Sequence, residues 1–407
     1  MIALVNPVSS GVFLSAAFRE RGEECVLVYS GHFAAAAEDG GPGQCVIHRN
    51  VHRTARLLRD LRVRHVVPGS EAGVDLAHRL AEHLDLPRNE DATASARFDK
   101  ARMVDALGDA GIEVPRQALV ATRKDLPGAL DHVGLPVVAK PPASSGSDGC
   151  RICRTEQDAA EHFMAIHQRP NLLGAVNEAV LVQEYLPGSQ YLVSTVSMDG
   201  QHYLHELSRS CVDERDGMPT RRHTISCHRL GLEEHRVLAY VYACLDALGI
   251  RRGAANTDVR LTQAGPRILE VNARILGPTL DPDPYFKAFG SSQQHLLVES
   301  LLAPADFRRR LRLGYTPPNV MGKAFLRSFG SGVLRGIPGL EAVRRLPGFH
   351  SGTSLPEVGS TVKDHALTTG STGIVYFVHE DEPVVQKSLA VVMGMEDAGT
   401  LFDIVAV

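Results

Sequence analysis

Gly253-Ala-Ala-Asn-Thr-Asp-Val-Arg-Leu-Thr-Gln-Ala-Gly-Pro-Arg-Ile-Leu-Glu-Val-Asn-Ala-Arg274 reads as a β-hairpin with one dry face and one polar face. Thr257, Val259 and Leu261 alternate with Asp258 and Arg260; after the turn signal Gln263-Ala264-Gly265-Pro266, Leu269 and Val271 alternate with Glu270 and Asn272. Strand side chains point to opposite faces with period two, so Glu270 and Asn272 share a face and the turn sets Asp258 roughly opposite them. Two carboxylates and an amide oxygen therefore converge. Like charges facing each other across a sheet repel and raise one another's pKa, so the pair needs a cation between them or a proton on one of them. A hard, oxygen-seeking ion such as Mg²⁺ suits this set, and Mg²⁺ commonly shares its coordination shell with substrate phosphates. The expected partner is a nucleoside triphosphate. The plain alternative is an exposed hairpin with a solvated acidic face, and the rest of the chain decides between them.

The chain has 407 residues, 44% of them hydrophobic, enough for two or three units with sizeable cores. A formal charge of −4 and a pI near 6.5 leave no electrostatic footprint for nucleic acid or an anionic membrane, which points to small-molecule partners. There is no apolar run of roughly 18 residues and no signal-peptide pattern before Ile2-Ala-Leu-Val5, so a soluble, cytoplasmic chain is expected. The seven cysteines are scattered and odd in number, which argues against a disulfide framework. Cys150 and Cys153 have redox or zinc spacing, but no second pair completes a site, and the dispersed histidines read as ordinary surface or core residues.

Residues 1 to about 95 alternate strand and helix: Ala3–Val5, a helix with Val12, Leu14, Ala17 and Phe18 inward, Cys25–Tyr29, and His65–Val67. This is a small parallel α/β layer. Asn6-Pro-Val-Ser-Ser-Gly11 carries neither a dinucleotide nor a P-loop fingerprint and reads as a plain βα turn. Glu71 stands where a strand ends and a helix opens, a common place for ligand contact. Further on, Leu135-Pro-Val-Val-Ala-Lys140 ends a short strand in a lysine, and Pro141-Pro-Ala-Ser-Ser-Gly-Ser-Asp-Gly149 follows as a flexible loop. A point charge beside free backbone N–H groups is what a polyphosphate needs. Ala179–Leu186, closed by Pro187-Gly188, is an apolar strand whose edge can hydrogen-bond an adenine, with Glu184 or Gln190 reaching its amino group or the ribose. The stretch Asp213 to His228 reads as a solvated polar loop, Phe307-Arg-Arg-Arg-Leu-Arg312 as a solvated helix end, Val320–Phe329 and Thr372–Val378 as strands, and Pro383–Met395 as an amphipathic helix. No internal repeat appears, and the Ala34–Ala37 patch needs no function.

The ordered series Lys100, Lys140 with its Gly/Ser loop, Gln183-Glu-Tyr-Leu-Pro-Gly-Ser-Gln190, Asp258 and Glu270-Val-Asn-Ala-Arg274 resembles the ATP-grasp superfamily over essentially the whole chain. Within it, Asn6–Gly11 and the C-terminal region look like the L-amino acid ligase group of alanine–anticapsin ligase-like carboxylate–amine ligases. The resemblance implies a multidomain α/β and α+β architecture. It comprises an N-terminal Rossmann-like α/β domain (1–95), an ATP-grasp domain with a flexible lid around 135–190 (96–312), and a small C-terminal α+β subdomain (313–407). It implies that Lys100 and Lys140 contact ATP phosphates, that Ser144, Ser145, Gly146 and Ser147 close over them, and that Gln183, Glu184, Tyr185, Leu186 and Gln190 frame the adenosine. Asp258, Glu270 and Asn272 would hold Mg²⁺, or Mn²⁺ in its place, while Arg274 and Lys140 would serve catalysis. Glu71, His223, Arg221, Arg274 and the backbone at Gly277 would meet substrate.

Asn256-Thr-Asp258 stands where relatives often have His-x-Glu, Gln190 where many have Glu, and Ile275-Leu-Gly277 where a Gly-Gly pair is common, which points to an unusual substrate pocket. The activity implied is amide (peptide) bond formation between an amino acid or related small acid and an amine, another amino acid, through an acyl phosphate with release of ADP and phosphate. The same resemblance admits a homodimer. Two other readings are a biotin-carboxylase-like carboxylation and a non-catalytic ATP-binding regulator. The chain shows no biotin-carrying segment, and a mere binder would not need both lysines, both carboxylates, Asn272 and Arg274 together.

Overall fold

A computed structural model describes residues 1–31, 33–34, 44–278, 280–364 and 370–406; most of the alanine patch lies outside them. In chain order, β1 (Ile2–Val5), α1 (Leu14–Arg19), β2 (Cys25–Ser30), β3 (Gln44–His48), α2 (Val51–Asp60), β4 (His65–Pro68) and α3 (Val74–His83) form the first layer. Its strands run parallel in the order β3-β2-β1-β4. All four residues of β1 are fully buried, because Ile2 and Leu4 pack on Leu14 and Phe18 while Ala3 and Val5 pack on Ala55, Leu58 and Leu80. A parallel strand covered on both faces reads as an unbroken apolar run, which is what Ile2-Ala-Leu-Val5 is. The first helix begins two residues later than the pattern suggests: Ser9–Phe13 is a 3-10 turn, and Val12 is half exposed rather than inward.

Next come α4 (Lys100–Asp109), β5 (Gln117–Val120), α5 (Leu126–Val133), β6 (Val137–Lys140), β7 (Arg151–Cys153), α6 (Glu156–Ile166) and β8 (Val180–Glu184). These four strands make an antiparallel sheet in the order β5-β8-β6-β7, with its own core against α5 and α6.

The largest sheet is assembled from β9 (Ser189–Met198), β10 (Gln201–Arg215), β11 (Met218–Ser226), β12 (Gly253–Thr262), β13 (Gly265–Asn272), β14 (Val320–Phe325), β16 (Phe349–Thr353) and β18 (Ile374–His379). It runs antiparallel in the order β13-β12-β9-β10-β11-β14-β18-β16. Residues 213–228 are therefore mostly hairpin, not loop. One face packs Tyr191, Val193, Val259 and Val271 on α4 and on α7 (Leu232–Ala247). On the other face, Val196 and Ala254 meet α9 (Gln293–Leu302) and the first layer, and Met321 and Tyr376 meet α8 (Asp283–Phe289). The basic run ends α10 (Pro304–Arg310), with Phe307 wholly buried.

Beyond residue 313, β14, β18 and β16 continue the large sheet, and α12 (Glu382–Asp397) buries Val385, Leu389 and Val392 against it. Besides α11 (Gly339–Arg344), the remaining strands β15 (Gly332–Gly336), β17 (Thr361–Val362) and β19 (Asp403–Val405) form a small antiparallel sheet in the order β17-β15-β19.

Candidate active site

The hairpin turns at Gln263–Ala264, and its register pairs Asn256 with Asn272, Thr257 with Val271 and Asp258 with Glu270. A bulge follows at once, setting Val259 opposite Ile268, so Ile268 and not Leu269 is the fully buried residue and strict alternation fails there. Directly opposed residues share a face, so two carboxylates and two amides lie together. They do not share one cation. Glu270 Oε2 is 3.2 Å from Lys100 Nζ, whereas Asp258 Oδ1 accepts from Arg221 Nη2 at 2.5 Å and from Gln190 Nε2 at 2.8 Å. Each carboxylate has its own positive partner, so neither a bridging ion nor a shared proton is required for the chain alone. Burial pushes the Glu270 carboxyl upward, but the ammoniums of Lys100 and Lys140 outweigh it and hold the group well below the usual carboxylate range.

Lys100 is the first residue of α4, whose N-cap Asp99 accepts from Ala101 N and Arg102 N. Its backbone N donates to Pro142 O at 2.8 Å and its Nζ to Ser144 O at 2.5 Å, so the Gly/Ser loop lies across it. Burial disfavours the Lys100 ammonium, yet Glu270 and Glu71 raise its pKa; Lys140, whose Nζ donates to the Gln183 amide oxygen at 3.0 Å, is pushed down by burial and by the charge of Lys100. In the loop, Ser144 is buried and donates to Asp148 Oδ2 at 2.8 Å, Ser145 is half-buried, and Gly146 and Ser147 form an exposed tip.

Three loops close one end of this cluster. Glu71 accepts from Arg274 Nη2 at 3.0 Å and lies 3.8 Å from Lys100 Nζ. Gly69 passes so near the first βα turn that a Cβ on it would fall 2.4 Å from Pro7 Cα. That turn is anchored by Asn6, which donates to Ser30 Oγ at 2.9 Å and Ala72 O at 3.0 Å. Ser10 Oγ then donates to Pro278 O at 2.6 Å and accepts from Leu280 N at 2.9 Å, holding the segment after Arg274, with Gly277 beside Ser9.

At the other end, Glu184 is engaged by Arg116 at 3.3 Å, Tyr185 N donates to Pro136 O at 3.3 Å, and Leu186 is buried. The side chains of Glu184 and Gln190 are thus turned to protein partners in the ligand-free chain. His223 stands apart from the carboxylates: its Nδ1 is 3.2 Å from Met393 Sδ in α12, while Arg221 reaches Asp258. Sequence reasoning missed Arg116, which engages Glu184, Gln117, which accepts from Gln183 Nε2 at 3.3 Å, and Gln293, which accepts from Leu276 N at 2.7 Å. It also missed the fully buried pair Glu206–Lys323 (2.8 Å), for which the lone charge inside Val320-Met-Gly-Lys-Ala-Phe325 was an available signal.

Among the described residues no three His, Cys, Asp or Glu side chains converge on a metal. Asp258, Glu270 and the Asn272 amide stand on one face, and oxygen donors of this kind suit a hard divalent ion that completes its shell on phosphate oxygens. Among the described residues no helix is long and apolar enough to cross a membrane.

The model of the ATP-grasp domain matches residues 98–278. Dapdiamide A synthase of Enterobacter agglomerans is 29% identical over 327 residues, 77% of this chain and 76% of that protein. Alanine–anticapsin ligase of Bacillus subtilis is 26% identical over 53% of this chain and 48% of its own length. In fold, the chain matches the crystal structure of L-amino acid ligase from Bacillus licheniformis with a TM-score of 0.79 at 18% identity, covering 100% of this chain and 98% of that one.

Proposed function

We infer that this chain, whose residues 98–278 match the ATP-grasp domain and whose relatives include dapdiamide A synthase and alanine–anticapsin ligase, is an ATP-dependent carboxylate–amine ligase joining an amino acid or related small acid to a second amino acid. The observation that carries the reading is one sheet face on which Asp258, Glu270 and Asn272 stand beside Lys100, with Lys140 close by and the Glu71–Arg274 pair at its end.

The substrate carboxylate attacks the γ-phosphorus, a new P–O bond forms as the bond to ADP breaks, and an acyl phosphate results. The amine nitrogen then attacks the acyl carbon, the C–O bond to phosphate breaks, and the amine loses one proton. Lys140, hydrogen-bonded to the neutral Gln183 amide, has its charge available for a phosphate, and Lys100 can exchange Glu270 for one. Magnesium, with manganese as its substitute, would be held by Asp258, Glu270 and Asn272 and would neutralise phosphate charge. Arg274, released from Glu71, would face the acyl oxygen together with backbone at Gly277, and residues 144–147 would keep water from the acyl phosphate. The strand edge at 183–186 would hold adenine, with Gln190 near the ribose. Seven cysteines with no disulfide among the described residues fit a cytoplasmic setting.

The test is ADP release from Mg²⁺-ATP with pooled amino acids and small acids, followed by mass spectrometry. The expected product has the summed mass of two pool members less one water. ADP release that needs bicarbonate and no amine would instead make the protein a carboxylase.

A further inference from the structure

The connection between α6 and β8 folds into a turn of its own. Asn171 N donates to Ala175 O at 2.8 Å and Gly174 N to Asn171 O at 2.9 Å, while Asn171 Oδ1 accepts from Leu173 N at 3.0 Å and Ala175 N at 3.2 Å. Asparagine suits this place because its short amide bonds the backbone just ahead of it. Asn177, 5% exposed, ties the turn to the end of α6: its Nδ2 donates to Ile166 O at 3.1 Å and its backbone N to Arg169 O at 2.9 Å.

This turn holds the Gly/Ser loop at both ends. Asn171 Nδ2 donates to Ala143 O at 2.8 Å and to Asn177 Oδ1 at 3.0 Å, so both hydrogens and both lone pairs of the Asn171 amide are used. Asp148 Oδ2 accepts from Leu172 N and from Ser144 Oγ, each at 2.8 Å. His162 of α6 fixes the base of the loop, with Nε2 2.8 Å from Gly149 O. On its other side the loop offers Pro142 O to Lys100 N and Ser144 O to Lys100 Nζ. Ser144 thus stands between two holds: the lysine ammonium on its carbonyl and, through Asp148, the turn on its hydroxyl. Gly146 and Ser147, with φ +63 and +61, make the tip between the held ends.

We propose that Asp148 and Asn171 are positioning residues: they brace the Gly/Ser loop over the phosphate site from outside, so that residues 144–147 shut water out from the acyl phosphate of the ligase reading on which this inference rests. Pinning Ala143 and Asp148 leaves only the short span between them to be ordered when phosphate binds, which lowers the entropy lost on closing. Without the brace the loop closes less often. Water then adds to the acyl carbon in place of the amine, the C–O bond to phosphate breaks and a proton is lost, so the acid is regenerated and ADP appears without amide.

The test compares the full chain with Asp148→Ala, Asp148→Asn and Asn171→Asp. Alanine at 148 removes both contacts, whereas asparagine keeps an oxygen for Leu172 N and an amide group for Ser144 Oγ. Aspartate at 171 keeps the oxygens that Leu173 N and Ala175 N use, which preserves the turn, and loses the donor to Ala143 O. Hydrogen exchange with mass spectrometry reads the amides of 143–149, and the ratio of ADP released to amide formed, at saturating Mg²⁺-ATP with the pooled substrates, reads water entry. Asp148→Ala and Asn171→Asp should speed exchange over 143–149 by about tenfold and raise the ratio by about threefold or more, with Asp148→Asn close to the parent. The two damaging variants change charge in opposite directions, so a shared shift reports the lost bonds. A purely structural role would lower stability and kcat and leave the ratio at its parental value. Unchanged exchange in both variants, or faster exchange with an unmoved ratio, overturns the proposal and leaves the ligase reading standing. If no pool yields ADP or amide, the ligase reading itself falls, and this role with it.

Discussion

Lys100 ties three parts of the candidate site together: Glu270, Glu71 and the carbonyl of Ser144 all lie within 3.8 Å of its ammonium. Glu270→Gln and Lys140→Ala should each lower kcat by at least about 10²–10³-fold, because each removes charge placed where phosphoryl charge develops. Far-ultraviolet circular dichroism should stay that of the parent, and near-normal turnover in either variant would remove that residue from the site. A different carboxylate governs pH behaviour. Glu396 is buried with Arg222 at 3.0 Å, but Arg222 is shared with Asp213 and Asp397, and burial pushes the Glu396 carboxyl up to about 7. A raised carboxyl means that the folded chain keeps a proton that the unfolded chain has lost. Its contribution is therefore full below the ordinary carboxyl value and fades as pH rises through about 7. Denaturant titrations should show stability falling with pH across that window by at most about 1.4 kcal/mol per unit from this group, and Glu396→Gln should flatten the fall.

At the scale of elements, most helices and strands were legible because their apolar periodicity is local. The hairpin at 253–274 and the lysine ending β6 could be read from a few neighbouring residues. The bulge after Asp258 could not, since nothing in the alternation itself says where a strand gains a residue; Leu269 and Ile268 exchanged roles for that reason. His223 and Arg221 show the same limit, because a second irregularity between Cys211 and Val212 decides which β11 side chain reaches the carboxylates. The connection between β8 and β9 makes its own prediction. Gly188 has φ +126, and a Cβ there would fall 2.1 Å from Leu261 O. Gly188→Ala should destabilise the fold by about 2 kcal/mol or more and raise the KM for ATP, as read by thermal melting and ADP release.

In the whole molecule, the large sheet is continuous from β13 to β16, and the pairing of β11 with β14 joins residues about a hundred positions apart, a contact no local pattern announces. Glu206 and Lys323 cross that junction at 0% and 1% side-chain exposure, with Tyr285 Oη 3.1 Å from the ammonium. Removing one partner strands a charge in the core, so Lys323→Met should cost roughly 3–5 kcal/mol in chemical denaturation. Adding Glu206→Gln should recover much of the loss, which a merely misfitting methionine would not allow.

That junction also bears on how such a chain can change over generations. Insertions at the tip of the Gly/Ser loop disturb no sheet, so that region can be lengthened piecemeal. The last hundred residues are not a cassette: recombination that exchanged them would have to deliver a matching edge for β11 and an ammonium for Glu206 in the same event, so the two halves of the sheet are inherited as one.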